Sequence, residues 1–453
     1  MELVPAEYRP ECRDRVWEDR PRGHHFCFAL IQLFVLLVLR APTTIRGASG
    51  ALCFFVRMLP QSPDASPSAN CGSNWLLRLG LYELSRPLEQ ADDWVWIVDH
   101  SIHVGNVKCL LIVGCRLSVW RSQKRQLTHQ DLNVLALEPA ETSKSDVVLA
   151  ELEKVTSRTG VPRQILSDGA SDLKRAIKDF QLQHVDTVNS YDIKHKIALI
   201  LKRELEHDSS WSDFIQRATS VRSQLVHDPL TYLSPPTLRH KARYMNLAEL
   251  VQWAQKVRRF LDQPIPPDDQ PISLGKLNLT LGWLRQFDEP VARWASLLRT
   301  AEVILEYTRA EGYHDRAVEK LALRLVPVTT TLAAQRMAEA LLPFIAQESA
   351  AAKPGERLLA SSEVIESLIG KGKRLEARSG RAGFTKVALA LAAAVVEPTP
   401  TFIDRAFQAI KTADVVRWVK QKLGMSLPAK RQAALNRSKP EQNLGQLALP
   451  FIN

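Results

Sequence analysis

The sequence predicts a mixed α/β protein: a sheet with flanking helices, interrupted by an all-helical insertion and preceded by a helical N-terminal region. Three observations carry this expectation. Short β-branched and apolar runs alternate with amphipathic segments between Asp92 and Asn189, whereas residues 24–90 and the chain beyond Asp192 show helical periodicity alone. The length of 453 residues also exceeds one ordinary domain.

Residues 1–23 are charged and proline-bearing and read as an arm. The apolar run from Phe26 to Leu39 is 14 residues long and contains Gln32. A membrane span needs about 20 such residues, so the run predicts a buried helix. The acids before it and Arg40 after it do not fit a signal peptide. A second helix follows, with Thr43 or Thr44 as its cap, then a turn-rich stretch from Pro60 to Ser73 and a third helix. This order fits a helix-turn-helix unit over 24–90, whose Asn74, Trp75 and Arg78 would enter a major groove. It fits a small helical bundle with no DNA role equally well.

WVWIVD (Trp94 to Asp99) and KCLLIVGCRL (Lys108 to Leu117) predict a hairpin turned at Gly105, with a third strand over Asp131 to Pro139. A helix from Ser145 to Arg158, closed by Gly160, leads to a strand ending at Asp168. An amphipathic helix to Phe180 and a fifth strand over His184 to Asn189 complete the unit. Three strands in a meander, then helix, strand, helix and strand, is the order of a ribonuclease-H-like domain.

Beyond Asp192 the chain reads as helices, separated by proline-rich breaks at Pro229 to Pro236 and Pro264 to Pro271. The expected divisions are 91–208 for the first part of the sheet domain and 209–357 for a helical insertion. The second part spans 358–425, with one helix expected across its last portion, and a basic tail occupies 426–453.

The net charge of +11 is unevenly spread. Residues 1–90 carry a net +1 and residues 91–370 none, whereas residues 371–453 hold 15 Lys and Arg against 5 acids. A basic segment on a neutral body points to a polyanionic partner. The six cysteines form no CxxC pair and no zinc-spaced cluster, which fits a reducing compartment.

Asp99 and Asp168 each end an apolar strand. If those strands are neighbours, both carboxylates lie at one sheet edge and can share two divalent cations about 4 Å apart. Magnesium, a hard ion with a preference for oxygen ligands, suits such a site, and manganese can replace it. A third ligand is expected from the helix SSEVIESLIGKGK, where Glu366 lies between apolar Ile365 and Leu368. Glu363 reads there as first-turn dipole compensation after a Ser361 or Ser362 cap. His195, on the helix after the fifth strand and capped by Asn189 or Ser190, either contacts phosphate or packs.

Taken together, these blocks resemble the DDE transposases of bacterial insertion sequences, of the type with an all-helical insertion between the second Asp and the Glu. DDWVWIVDHS with KCLLIVGCRLS looks like the first catalytic strand and its partner, and ILSDGASDLKRAI like the second aspartate block. SSEVIESLIGKGK with RAGFTKVALALAA looks like the glutamate block, and the N-terminal helices like the DNA-recognition region. The resemblance implies a metal-binding and catalytic triad of Asp99, Asp168 and Glu366, with Lys373 at the E-x6-K spacing. Leu359 and Ser362 stand where the pattern has Tyr and Arg.

The implied activity is magnesium-dependent hydrolysis at element ends and strand transfer into target DNA. A homodimer would act on terminal inverted repeats in the cytoplasm at the nucleoid, with no membrane partner. Lys371, Lys373, Arg374 and His195 would contact DNA, and Trp211, Trp253, Trp283 or Trp294 would stack on an unpaired base. The alternative is a decayed or domesticated relative that only binds DNA.

Overall fold

The computed structural model describes residues 18–41, 43–58, 65–100, 108–123, 126–140, 144–237, 247–264, 273–377, 388–424 and 427–437. Most of the expected arm, the hairpin turn at Gly105 and the end of the basic tail lie outside them.

Five strands form one mixed sheet in the order β3-β2-β1-β4-β5: β1 (Trp94–His100), β2 (Lys108–Arg116), β3 (Asn133–Ala140), β4 (Gln164–Ser167) and β5 (Val188–Tyr191). β1 and β2 pair antiparallel from Trp94 opposite Arg116, and β2 continues antiparallel to β3. β4 is parallel to β1, and β5 is parallel to β4. The meander and the two later strands therefore take the expected places. β5 begins later than the expected His184, because His184 ends the preceding helix and Thr187 N donates back to its carbonyl. Ladder pairing starts at Val188.

Side-chain alternation gives the sheet two apolar faces. Trp94, Trp96 and Val98 face α5 (Ser145–Thr159) and α6 (Ser171–Gln183), where Leu152, Ile177 and Phe180 are buried. Val95, Ile97, Cys109, Leu111 and Val113 belong to the larger core on the other face. That core is continuous with α1 (Phe28–Leu39), α2 (Ile45–Met58) and α3 (Ala69–Ser85). The N-terminal helices, expected as a DNA-binding unit, thus share the core of the sheet. Thr44 starts α2 by accepting Gly47 N at 2.9 Å. α1 is a buried helix, as its apolar run requires, and no helix among the described residues is long and apolar enough to cross a membrane.

After the short α4 (Leu117–Gln123), α5 and α6, α7 (Ile193–Glu206) leads from β5 into the insertion. The described residues of the expected insertion, 209–357, hold α8 (Ser209–Gln224), α9 (Leu247–Asp262), α10 (Leu274–Leu281), α11 (Asp288–Glu311), α12 (Ala317–Leu325) and α13 (Leu332–Ser349). α10 and α12 are additional to the segments expected from periodicity. Trp211, Phe214, Phe287 and Trp294 form an aromatic core there, against which Trp283 packs. Trp294 Nε1 donates to Asp208 and Trp253 Nε1 to the Leu233 carbonyl. Base stacking, expected of one of these tryptophans, is thereby corrected for Trp211 and Trp294, which are buried.

The chain returns through residues 358–362 to α14 (Glu363–Ala377), α15 (Ala388–Ala393), α16 (Pro400–Ala409), α17 (Thr412–Lys422) and α18 (Leu427–Arg437). One helix was expected where α16 and α17 stand. Ile410 is extended instead, and the Asp414 carboxylate accepts Lys411 N at 2.8 Å to start the second helix. α3 and α15 touch backbone to backbone: a Cβ at Gly80 would lie 1.9 Å from the Leu389 carbonyl oxygen.

Candidate active site

Val98 and Ser167 are register partners on the parallel strands β1 and β4, so Asp99, still in β1 opposite Leu111, and Asp168, just past the end of β4, follow them side by side at one edge. Asp168 Oδ1 accepts Ala170 N at 2.9 Å and thereby shapes the turn into α6. Gly169 makes that turn at φ +74°, and a Cβ there would lie 2.4 Å from the Tyr191 ring. The Asp99 carboxyl is pushed up to about 6, first by burial and then by Asp168 and Glu366, with His195 opposing. The other two expected ligands, Asp168 and Glu366, thus lie within electrostatic reach of Asp99.

β5 delivers a third acid to the same edge. Asp192 N donates to the Ser167 carbonyl at 3.0 Å, and the fully buried Asp192 carboxylate caps α7 by accepting Lys194 N at 3.0 Å. The cap is therefore Asp192, in place of the expected Asn189 or Ser190. Ser190 is buried in β5, whereas a cap must sit at the first helical N–H groups. Asp192 Oδ2 takes the Ser362 hydroxyl at 2.7 Å and His195 Nδ1 at 2.9 Å. The hydrogen bond to Asp192 raises the His195 pKa above its ordinary value, against its burial.

α14 carries Glu363 and Glu366 to this edge. Lys194 Nζ lies 2.6 Å from Glu366 Oε2 and 3.3 Å from Glu363 Oε1, and Arg309 of the insertion also pairs with Glu363. Glu363 is thus an ion-pair partner as well as a first-turn acid. Asp192, His195 and Glu366 offer ligand atoms within 4.8 Å of one another, a group able to hold a metal ion. Asp192, Lys194 and Arg309 were not singled out from sequence for the site. For Asp192 a signal existed, since it follows an apolar strand just as Asp168 does; for Arg309, on a helix 54 residues before Glu363, there was none.

All three expected acids supply carboxylate oxygens, and the Asp99 carboxyl is raised by burial first and then by the neighbouring acids Asp168 and Glu366. That donor chemistry fits a hard divalent cation.

The DNA-contact candidates divide sharply. Trp75 is buried, edge-on to Phe26 and Phe34, and no face of it is offered to a groove. Arg78 is also buried, and it donates to the Phe407 and Ile410 carbonyls at 2.6 Å each while lying 4.2 Å over the Phe407 ring. The groove contacts expected of them are thus replaced by contacts within the fold, Trp75 packing on Phe26 and Phe34 at the α1 side and Arg78 on Phe407 and Ile410 at α16. Asn74 is half-buried, Lys371 is half-buried, and Lys373 and Arg374 are exposed. Burial, Arg40 and Arg374 push the Lys371 ammonium down to about 8. Burial, Lys371 and Arg374 push His129 down to about 4, so positive charge is concentrated beside α14.

No protein family and no curated protein matches the chain. Among solved structures, the Drosophila P element transposase strand transfer complex aligns with 83% of this chain and 92% of that chain, at 11% identity and a TM-score of 0.41.

Proposed function

We propose that the protein is a ribonuclease-H-like DNA transposase, which cleaves phosphodiester bonds at element ends and joins the freed ends to target DNA. This reading is supported by Asp99 and Asp168 following register partners on adjacent parallel strands, by the charges of Asp168 and Glu366 acting on Asp99, and by the ligand group of Asp192, His195 and Glu366 beside them. Asp99, Asp168 and Glu366 would hold divalent cations, magnesium first and manganese as a substitute, which polarise the attacking hydroxyl and stabilise the leaving oxygen. Asp192 and Ser362 fix the entry to α14 and so aim Glu366 at the sheet edge. His195, half-exposed beside Glu366, is placed to meet a phosphate or take a proton. Lys371, Lys373 and Arg374 continue from the same helix as a DNA-holding surface. Asn74, and a homodimer on the terminal repeats, complete the proposal.

A supercoiled plasmid carrying the element's ends, incubated with the protein and magnesium, tests this. Wild type gives cut and joined products, whereas Asp99→Ala and Glu366→Ala give none while still binding the ends. Equal products from all three proteins would reject the catalytic assignment; binding with no products from any would leave the non-catalytic DNA-binding alternative.

A further inference from the structure

The first turn of α7 contains no acid and carries Lys194, His195 and Lys196, although the positive end of a helix disfavours cations. The Asp192 carboxylate at the cap already takes Lys194 N and His195 Nδ1, so the Lys194 ammonium needs an anion of its own. In this structure Glu366 supplies it to Lys194, through a contact of 2.6 Å. Glu363 is the weaker partner at 3.3 Å, because Arg309 Nη2 already donates to its Oε1 at 2.5 Å. Arg309, from the insertion, therefore directs the lysine to Glu366.

A lysine ammonium and a divalent cation on one carboxylate repel each other, so each weakens the other's hold on Glu366. The lysine stem is long and flexible and its side chain is 21% exposed, so the ammonium can leave without unfolding the helix. We propose that Lys194 is an exchangeable counter-ion: it neutralises Glu366 while no cation is bound and turns to a DNA phosphate oxygen once the carboxylate takes one. Arg309 is the positioning residue of this exchange. The proposal rests on Glu366 being a metal ligand of the proposed transposase site.

Full-length wild type, Lys194→Met, Arg309→Met and Lys196→Met would be compared for Mn2+ binding without DNA, and for binding of a labelled duplex in EDTA and in Ca2+. Lys196 is the control, a cation of the same turn whose Nζ lies 5.1 Å from the Phe344 ring centroid. Lys194→Met is expected to bind Mn2+ about tenfold more tightly, the scale of a lost charge-assisted hydrogen bond. Arg309→Met, which frees Glu363 for the lysine, is expected to tighten it by about threefold, and Lys196→Met by less than about twofold. Lys194→Met should also lose about fivefold in duplex affinity in Ca2+ and keep wild-type affinity in EDTA.

Unchanged or weaker Mn2+ binding in Lys194→Met and Arg309→Met, beside a wild type whose binding Glu366→Gln removes, would overturn the counter-ion role alone. So would equal losses of duplex affinity in EDTA and Ca2+. A wild type with no Mn2+ binding sensitive to Glu366→Gln would overturn the metal reading itself. Arg309 lies on a different element from Lys194, so the two variants test the exchange independently of whether either one perturbs α7.

Discussion

Ser362 donates its hydroxyl to the buried Asp192 carboxylate at 2.7 Å, joining residues 170 positions apart. Around this bond the returning chain is zipped to the sheet edge: Ile193 N donates to the Ala360 carbonyl, and the Gln164 side-chain amide both donates to and accepts from the Leu359 backbone. The insertion is closed at this point. Ser362→Ala is expected to lower stability by about 2 kcal/mol, because a buried carboxylate loses one of its donors. Asp192→Ala should cost about 3 kcal/mol or more, since it strands Ser362, His195 and the first N–H groups of α7 together. Urea denaturation midpoints check both, and a Ser362→Ala midpoint equal to wild type would show that the bond does not hold the two halves together.

Asp99 makes stability depend on pH in a direction opposite to that of most carboxylates. Its pKa is raised from 3.8 to about 6, by burial first and then by Asp168 and Glu366. Between those values the folded state holds a proton that the unfolded state has released, so stability falls as pH rises through the interval. At pH 7 the ionised group disfavours the folded state by about 2–3 kcal/mol. Asp99→Asn removes that penalty. In EDTA its thermal midpoint should therefore exceed wild type at pH 7, with the gap closing toward pH 4, and magnesium should narrow the gap at pH 7 by stabilising wild type alone. A gap independent of pH would contradict an origin in the ionisation of Asp99.

Most of the sheet and the edge carrying the acids was legible because local rules decide it. WVWIVD and RQILSD are apolar runs ended by an acid, and an acid ending a buried strand has few places to go but a sheet edge. Gly160 and Thr44 end and begin helices where propensity puts them. What was not legible depends on distant partners. Trp75 and Arg78 lie on a helix whose pattern suits a groove, and only Phe26 and Phe34 around the one and the chain beyond Ala388 around the other give them their contacts within the fold. Glu363 likewise looked like a dipole partner until Arg309 came to face it from the insertion. The break between α16 and α17 turned on one local bond from Lys411 N to Asp414, which periodicity does not register.

Arg78 gives a direct contrast between reading a base and holding a fold. Its guanidinium spans two carbonyls and stacks on Phe407, a fork geometry that a lysine cannot copy. Arg78→Ala and Arg78→Lys should each destabilise the protein by about 2–4 kcal/mol, leaving buried carbonyls short of donors. The folded fraction of either variant should keep the wild-type preference between element ends and random DNA. A stable variant with altered base preference at one position of the ends would restore Arg78 as a reading residue.

α18 presents exposed Lys430 and Arg431 beyond Gly424, outside the core and far in sequence from the acids at the sheet edge. Cations with no fixed shape around them meet phosphates without distinguishing bases. Truncation after Gly424 should therefore weaken binding by the same factor on the element ends and on random duplex, and should flatten the dependence of log affinity on log salt by about 0.9 for each phosphate that the tail no longer neutralises. Anisotropy titrations across a range of salt concentrations measure both quantities. A loss confined to the element ends would place sequence readout in the tail, whereas equal losses leave discrimination to the folded body and make the tail a general anchor that keeps DNA near Asp99, Asp168 and Glu366.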